Sequence, residues 1–364
     1  MRRAAAGTGI GVYATDLPAV DGYFTLGEGA TPVVALGRVG RHIGLPRLTA
    51  KLEGLNPTGS YKDRVAAMSM ALASTTNRRG WIATSSGNAG AALAAYGNRA
   101  ALPGFLCVVP SIPREKLLSA TALGVTVIKV VGVGERASAT RERSLFDAVR
   151  DLAEAHDLFL GVTAHRFNPD GMRGVDTIAY EIADADCEPD HLYVPTGGGG
   201  LVTAIARGVR HRGLATRVVI AQPSGCAPIV EFVEGRRPAP VVDACSSRIS
   251  GLQLPGPPDG ELAAATVAAT CGWGTAVPDA AIHRVQRLLA ELEGLYVEPA
   301  SATALAAAAE DRRRGRVAED AGVMVLLTAT GLKDLSAPGP PGDLPECPPD
   351  GVAAHVGRWI AGLA

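Results

Sequence analysis

Short apolar runs alternate with helically spaced segments along most of the chain. "WIAT" (81–84) precedes "AGAALAAYGNRA", and "FLCVV" (105–109) precedes a segment opening "REKLLSATALG". "VTVIKVV" (125–131) precedes "ERASATRERSLFDAVRDLAEAH", and "HLYV" (191–194) precedes "LVTAIARGVRHR". "VVIAQ" (218–222) and "GVMVLLT" (322–328) read as further buried strands. Continuously apolar strands separated by helices predict a parallel α/β architecture, because both faces of such a sheet are covered. Open sheets of this class bind ligands outside the carboxyl ends of their strands. The informative loops are therefore expected directly after the strands. Near the end, the Pro/Gly-rich stretch 336–351 reads as an extended connector or surface wrap. A short amphipathic helix, "VAAHVGRWIAGLA", is expected after it. No internal repeat is visible.

Composition narrows the classes. The chain has 364 residues, enough for two domains, with 47% hydrophobic and 20% charged residues and a net charge of −1. That balance gives no electrostatic pull toward nucleic acid or an anionic membrane surface. The run "RRRGR" (312–316) reads as a solvated helix end. No apolar run reaches the roughly 18 residues of a membrane helix, and the arginines at the start have no apolar stretch behind them, so no signal peptide is expected. The six cysteines are scattered without a C-x-x-C pair and read as reduced cytoplasmic thiols. Neither a zinc-type histidine spacing nor a G-x-S-x-G elbow is present, so no metal site is expected.

Four loops carry candidate chemistry. In "NPTGSYKDR" (56–64), Ser60 can cap a helix starting at Tyr61, with Asp63 as its capping-box partner. Lys62 then lies in the first turn, where the helix dipole opposes a protonated amine by about 0.3–1 kcal/mol, and burial adds to that effect. Such a position suits a Schiff-base lysine, although an exposed first-turn lysine is also common. "TSSGNAGAA" (84–92) follows a strand and opens a helix near Ala89, which offers a carboxylate site or a routine cap. "PTGGGG" (195–200) places consecutive N–H groups before a helix from Leu201, a phosphate cradle without the lysine of a Walker loop. "TATGLKD" (328–334) puts a threonine hydroxyl at a strand end, where it can meet a heterocycle nitrogen. Lysine, carboxylate loop, phosphate cradle and polar strand end together match pyridoxal 5'-phosphate (PLP), an electron sink for amino-acid carbanions.

"LGEGATPVV", "NPTGSYKDR", "SSGNAGAALAAY", "PTGGGGLVTA", "EPASATA" and "TATGLKD" resemble, in order over roughly residues 26 to 334, the motif set of fold-type II PLP enzymes, most of all the threonine synthase group. The resemblance implies two open, twisted, mostly parallel sheets flanked by helices. It implies a large PLP domain (1–78 plus 166–335), a small mobile domain (79–165), a tail (336–364) and a homodimer. By the same resemblance Lys62 would hold PLP as a Schiff base, and Asn88 would meet the ring hydroxyl. Gly197, Gly198, Gly199 and Gly200 would bind the phosphate, and Thr328 would face the pyridine nitrogen. Ser85, Ser86, Gly87, Asn88 and Ala89 would bind the carboxylate of a small-molecule amino-acid substrate.

The chain also departs from that pattern. Where the family carries N-P-x-R-I-E-G-Q-K-T, this chain has "NPDGMRGVDT" (168–177). Gly171 replaces a phosphate-binding arginine and Asp176 a lysine. Leu201 stands where an asparagine would touch substrate phosphate. An acid near a leaving phosphate would repel it, and Arg173 could compensate. Two activities follow as expectations: threonine synthase acting on O-phosphohomoserine, or elimination or replacement on another activated amino acid. A PLP-fold protein without activity is the third alternative.

Overall fold

This computed structural model describes residues 7–85, 87–110, 112, 114–131, 139–335 and 346–362. Among them the strands are β1 (Val33–Ala35), β2 (Leu48–Leu52), β3 (Trp81–Ser85), β4 (Gly104–Val108), β5 (Thr126–Lys129), β6 (Phe159–Leu160), β7 (His191–Pro195), β8 (Arg217–Pro223), β9 (Trp273–Val277) and β10 (Val323–Leu327). They form two sheets, ordered β1-β2-β10-β7-β8-β9 and β5-β4-β3-β6. β1 runs antiparallel to β2, and the other pairings are parallel. The expected α/β class, with two mostly parallel sheets flanked by helices, is what the chain adopts.

Burial explains the strand pattern. Every residue of β7 and β10 is buried, as a central parallel strand requires. On one face of the larger sheet lies the helix Pro299–Arg313, whose Ala302, Ala304, Ala306, Ala307 and Ala308 are buried. Its small side chains let it sit close to the strands. On the other face, Val202, Ile205 and Val209 of the helix Gly200–His211 pack with Ile178 and Ile182 of the helix Thr177–Asp184. All six strands expected from apolar runs are present, within one or two residues of their expected ends. β1, β2, β6 and β9 are additional. β2 reads "LTAKL", where Lys51 interrupts the apolar run yet is only 2% exposed.

Lys51 can be buried because it belongs to a four-charge cluster. The Arg64 guanidinium, fully buried, donates through Nε and Nη2 to Glu53 at 2.8 Å each and through Nη1 and Nη2 to Glu181 at 2.5 and 2.9 Å. Lys51 Nζ donates to Glu181 and to the Thr31 carbonyl, both at 2.6 Å. Two cations and two anions cancel, which is the condition for leaving water. Burial pushes the Glu181 carboxyl up, but Arg64 and then Lys51 outweigh it and hold it at about 2. The cluster ties the helix Lys62–Thr75 to the end of β2 and to the helix Thr177–Asp184.

The cysteines correct one expectation. Cys226 and Cys245 are disulfide-bonded, whereas Cys107, Cys187, Cys271 and Cys347 are free. The two partners are 19 residues apart without a recognisable spacing, and the turn after β8 brings their Cα atoms within 4.7 Å. No helix among the described residues is long and apolar enough to cross a membrane. Residues up to Asp334 form one compact unit and those from Leu335 another. The second unit contains the helix Val352–Ala361, with Val356, Trp359 and Ile360 exposed. Much of the expected Pro/Gly-rich connector, 336–345, lies outside the described residues.

Removing the guanidinium would leave two buried carboxylates with one cation. Arg64→Met is expected to lower the unfolding free energy by about 3–5 kcal/mol in urea denaturation. A loss below about 1 kcal/mol would show that the cluster is not what fixes this helix. The Glu181 contribution is present above its ordinary value of 4.5 and is lost as pH falls toward about 2. The wild type should therefore lose stability over that acid range, with a flatter profile in the variant.

Candidate active site

Lys62 is the first residue of the helix Lys62–Thr75, with Tyr61 at the cap position. The expected Ser60 cap is not formed. Ser60 is fully buried, and its Oγ has no hydrogen-bond partner among the described residues. Instead Asp63 reaches further back and accepts from Thr58 N at 2.7 Å and from the Thr58 hydroxyl. Burial pushes the Asp63 carboxyl up to about 6 despite those two donors. The Lys333 ammonium donates to the Thr58 carbonyl from the other side. Ser60 bridges to Ala329, and Tyr61 N donates to the Thr328 carbonyl at 3.0 Å. The turn before Lys62 is thereby fastened to the end of β10. Lys62 Nζ extends into a cavity, donates to Thr163 Oγ1 at 2.6 Å and lies 4.8 Å from the Tyr61 ring centroid.

The glycines after β7 line the same cavity. Gly199 has φ +91°, and a Cβ there would stand 2.7 Å from the Asp259 carbonyl oxygen. A Cβ on Gly197 would stand 2.7 Å from the Gly251 carbonyl oxygen. The loop 242–259 therefore lies against the cradle backbone, and only glycine permits that approach. Asp259 clasps it: its N–H donates to the Gly198 carbonyl at 3.0 Å, and its carboxylate accepts from His165 N and Arg166 N at 2.7 and 2.9 Å. His165 Nε2 donates to the Gly200 carbonyl at 3.1 Å while Nδ1 faces Arg207. Burial and then Arg207 lower the His165 imidazole to about 4, so it is neutral at pH 7. The helix Gly200–His211 starts directly at the cradle, one residue before its expected start. Its free N–H groups and dipole favour an anion there.

The loop after β3 completes the cavity. Ser85 Oγ accepts from Gly87 N at 2.9 Å and Gly90 N at 3.0 Å, and so caps the helix Asn88–Arg99. Ser85, Asn88 and Ala89 line the cavity. Gly87 does not, and its φ of +150° lets Lys116 pack against it, where a Cβ would stand 2.2 Å from Lys116 Cδ. Ser86 lies outside the described residues. Asn88 Nδ2 donates to Glu298 Oε2 at 2.9 Å, and Glu298 Oε1 is 2.9 Å from Lys116 Nζ. Across the cavity, Thr328 Oγ1 lies 2.8 Å from Ser301 Oγ, which also accepts from Ala329 N at 2.9 Å.

Lys62, Asn88, the four cradle glycines and Thr328 thus meet in one cavity. Arg173 does not join them. It donates to Asp176 at 2.8 Å and to the Asp16 carbonyl at 3.1 Å. Asp176 is fully buried and also takes both bonds of the Arg207 guanidinium, at 2.9 and 2.5 Å. It faces two arginines, and neither it nor Gly171 lines the cavity. Gly171 is tight against Asn168 and Ser69, with 2.5 Å or less for an added Cβ. Sequence reading missed Lys116, Glu298, Thr163, Ser301 and Asp259. Glu298 and Ser301 stand inside the quoted "EPASATA", so that motif did carry a signal.

The cavity fits PLP on its own terms. The cradle suits a phosphate. Asn88 Oδ1 is buried with no partner among the described residues and is available to a ligand. The polar group at the end of β10 is the Thr328 hydroxyl, not a carboxylate, and a hydroxyl is able to hydrogen-bond a ring nitrogen.

Comparison with known proteins agrees. The family model described as "Pyridoxal-phosphate dependent enzyme" matches residues 24–329. A threonine synthase of Halalkalibacterium halodurans is 32% identical over 318 residues, covering 85% of this chain and 84% of its own. One from Methanosarcina acetivorans is 30% identical over 333 residues, covering 88% and 79%. Among solved structures, maize serine racemase superposes with a TM-score of 0.70 at 21% identity, covering 91% of this chain and 93% of its own. That likeness concerns the fold. The chain belongs to the pyridoxal-phosphate dependent enzyme family, and is a PLP-dependent lyase similar to threonine synthases.

Proposed function

We propose that the protein catalyses elimination and addition on an O-activated amino acid, with O-phosphohomoserine converted to threonine and phosphate as the first candidate reaction. The observation that carries this reading is the convergence of the Lys62 amine, the glycine cradle, Asn88 and Thr328 in one cavity at strand ends. The two threonine synthases named above favour the substrate. PLP would be held by Lys62, by Gly197 to Gly200 and by Thr328, and when bound supplies an electron sink for substrate carbanions. Lys62 Nζ would act as general base and acid, taking and returning protons at the α and β carbons. Thr163, within 2.6 Å of that amine, orients it. The N–H groups that open the helix Asn88–Arg99 would receive the substrate carboxylate.

A second reading has its own observation. Leu145, Phe146, Leu201 and Leu254 line the cavity, and Arg173 and Arg207 are held on Asp176. That arrangement favours a leaving group other than phosphate. Incubation with O-phosphohomoserine, followed by assay of phosphate and threonine, separates the two. Release of both establishes the first reaction. A coloured protein that releases neither rejects it and points to other activated serine or homoserine derivatives.

Lys62→Ala is expected to abolish turnover and the visible absorbance of the purified protein, and retained activity would reject the whole assignment. The cradle gives a paired prediction. Gly199→Ala must strain a left-handed backbone and press on the Asp259 carbonyl, at a cost of about 1–3 kcal/mol. It should weaken PLP retention in dialysis and lower the melting temperature. Gly198 has no contact closer than 3.5 Å for an added Cβ, so Gly198→Ala should melt like the wild type. Equal melting of the two variants would show that the loop 242–259 does not clamp the cradle.

A further inference from the structure

Lys116 and Glu298 form an ion pair with no evident structural need. Both are nearly inaccessible, at 2% and 3% exposure, yet both line the cavity. Their charges lie 2.9 Å apart, and the second Glu298 oxygen accepts from Asn88 Nδ2 at 2.9 Å. Lys116 Nζ has a further, longer contact of 3.5 Å with Ser250 Oγ. The two residues come from opposite sides of the cavity. Lys116 stands in the helix Arg114–Ala122, which belongs with the smaller sheet, and Glu298 directly precedes the helix Pro299–Arg313 on the larger one. A buried carboxylate beside the cofactor side of Asn88 would be costly without a cation. A buried ammonium there would be equally costly without an anion.

We propose that Lys116 and Glu298 are a compensating charge pair that fixes the Asn88 amide and sets the electrostatic environment of the cofactor. They are positioning residues: Glu298 holds one Asn88 N–H and so turns Oδ1 toward the ligand, while Lys116 cancels the charge that Glu298 would otherwise impose. This inference rests on the PLP reading above. The other charged groups near the pair are Lys333, which feels both Glu298 and Lys116, then Asp63, which faces Lys333, and Lys62 itself. Asp259, which clasps the cradle, also acts on Lys62, and Asp63 and Lys333 act on each other; all three are common to the variants below, so differences between those variants report the pair.

The two halves of the pair should act with opposite sign. The visible absorbance of PLP bound at Lys62 is expected to titrate with pH, with a midpoint that reports the charge nearby. Lys116→Met leaves the Glu298 carboxylate uncompensated, which favours the protonated cation at Lys62 and raises the midpoint. Glu298→Gln leaves the Lys116 ammonium uncompensated and lowers it. Each shift is expected to be about one pH unit or more. Lys116→Met/Glu298→Gln should return the midpoint to within about half a unit of wild type, since the charge sum is restored. The experiment is a spectrophotometric pH titration of the holoenzyme and the three variants, with PLP retention after dialysis and circular dichroism measured alongside. Opposite single shifts that cancel in the double variant support the proposal. So does loss of PLP from a single variant that the double variant regains. Shifts of the same sign, no shift with PLP retained, or loss of PLP from all three folded variants would overturn it and leave the pair a structural brace. A wild-type protein that shows no visible band with added PLP would instead reject the PLP reading itself.

Discussion

A guanidinium buried without water must be met by carboxylates, and Arg64 meets two. It stands two residues after Lys62 in the same helical turn. Glu53 and Glu181, the latter also paired with Lys51, therefore dictate where the start of that helix can lie. An exposed ion pair would do little of this work, since it is worth about 0–1 kcal/mol. The buried cluster works because any displacement of Arg64 would leave charge unpaired in a low-dielectric interior. The Lys62 amine inherits that rigidity. Asp63 and Lys333 hold the preceding turn, and Thr163 holds the amine itself. The helix start resists displacement from three sides before any ligand arrives.

The cradle depends on a second constraint, the absence of side chains. Gly197 and Gly199 lie so close to the carbonyls of Gly251 and Asp259 that any Cβ would collide with backbone. The same contact brings the loop 242–259 over the cavity, with Ser250, Leu252 and Leu254 in its wall. Glycine here serves two needs at once. It leaves N–H groups open to an anion, and it lets a covering loop approach. The disulfide between Cys226 and Cys245 joins this loop to the turn after β8, so the wall of the site is tied to the larger sheet at its far end.

What could be read from the sequence divides along physical lines. Continuous apolar strands such as β7 and β10 were legible because burial on both faces leaves no polar position. β2 was not, because its buried Lys51 is tolerable only beside Glu181, which is 130 residues away in sequence. Lys62, Asn88, Thr328 and the cradle glycines were legible because each sits in a short loop directly after a strand or at a helix start. The Ser60 cap was misread: the local pattern suits a capping box, but the bridge to Ala329 turns Ser60 inward and leaves Asp63 to bind Thr58. Lys116 and Glu298 were invisible as a pair for the same reason as Lys51. Their meaning lies in a contact between distant segments. The paired Cys226 and Cys245 belong to the same class.

Asp176 shows how a substitution changes meaning once its surroundings are known. As a sequence difference it suggested a negative charge facing a substrate phosphate. In the fold it is the shared anion of Arg173 and Arg207, and Arg207 in turn faces His165, which supports the first residue of the cradle helix. The acid therefore removes two arginines from the cavity instead of adding a charge to it. A neutral His165 then lets its Nε2–H donate to Gly200 without competing for the anion. The net result is a cavity whose fixed positive charge, among the described lining residues, resides on Lys62 and Lys116, the latter already paired with Glu298. The same wall carries Leu145, Phe146, Leu201 and Leu254, and it is on this apolar side, beside the cradle N–H groups, that the second reading of the substrate rests.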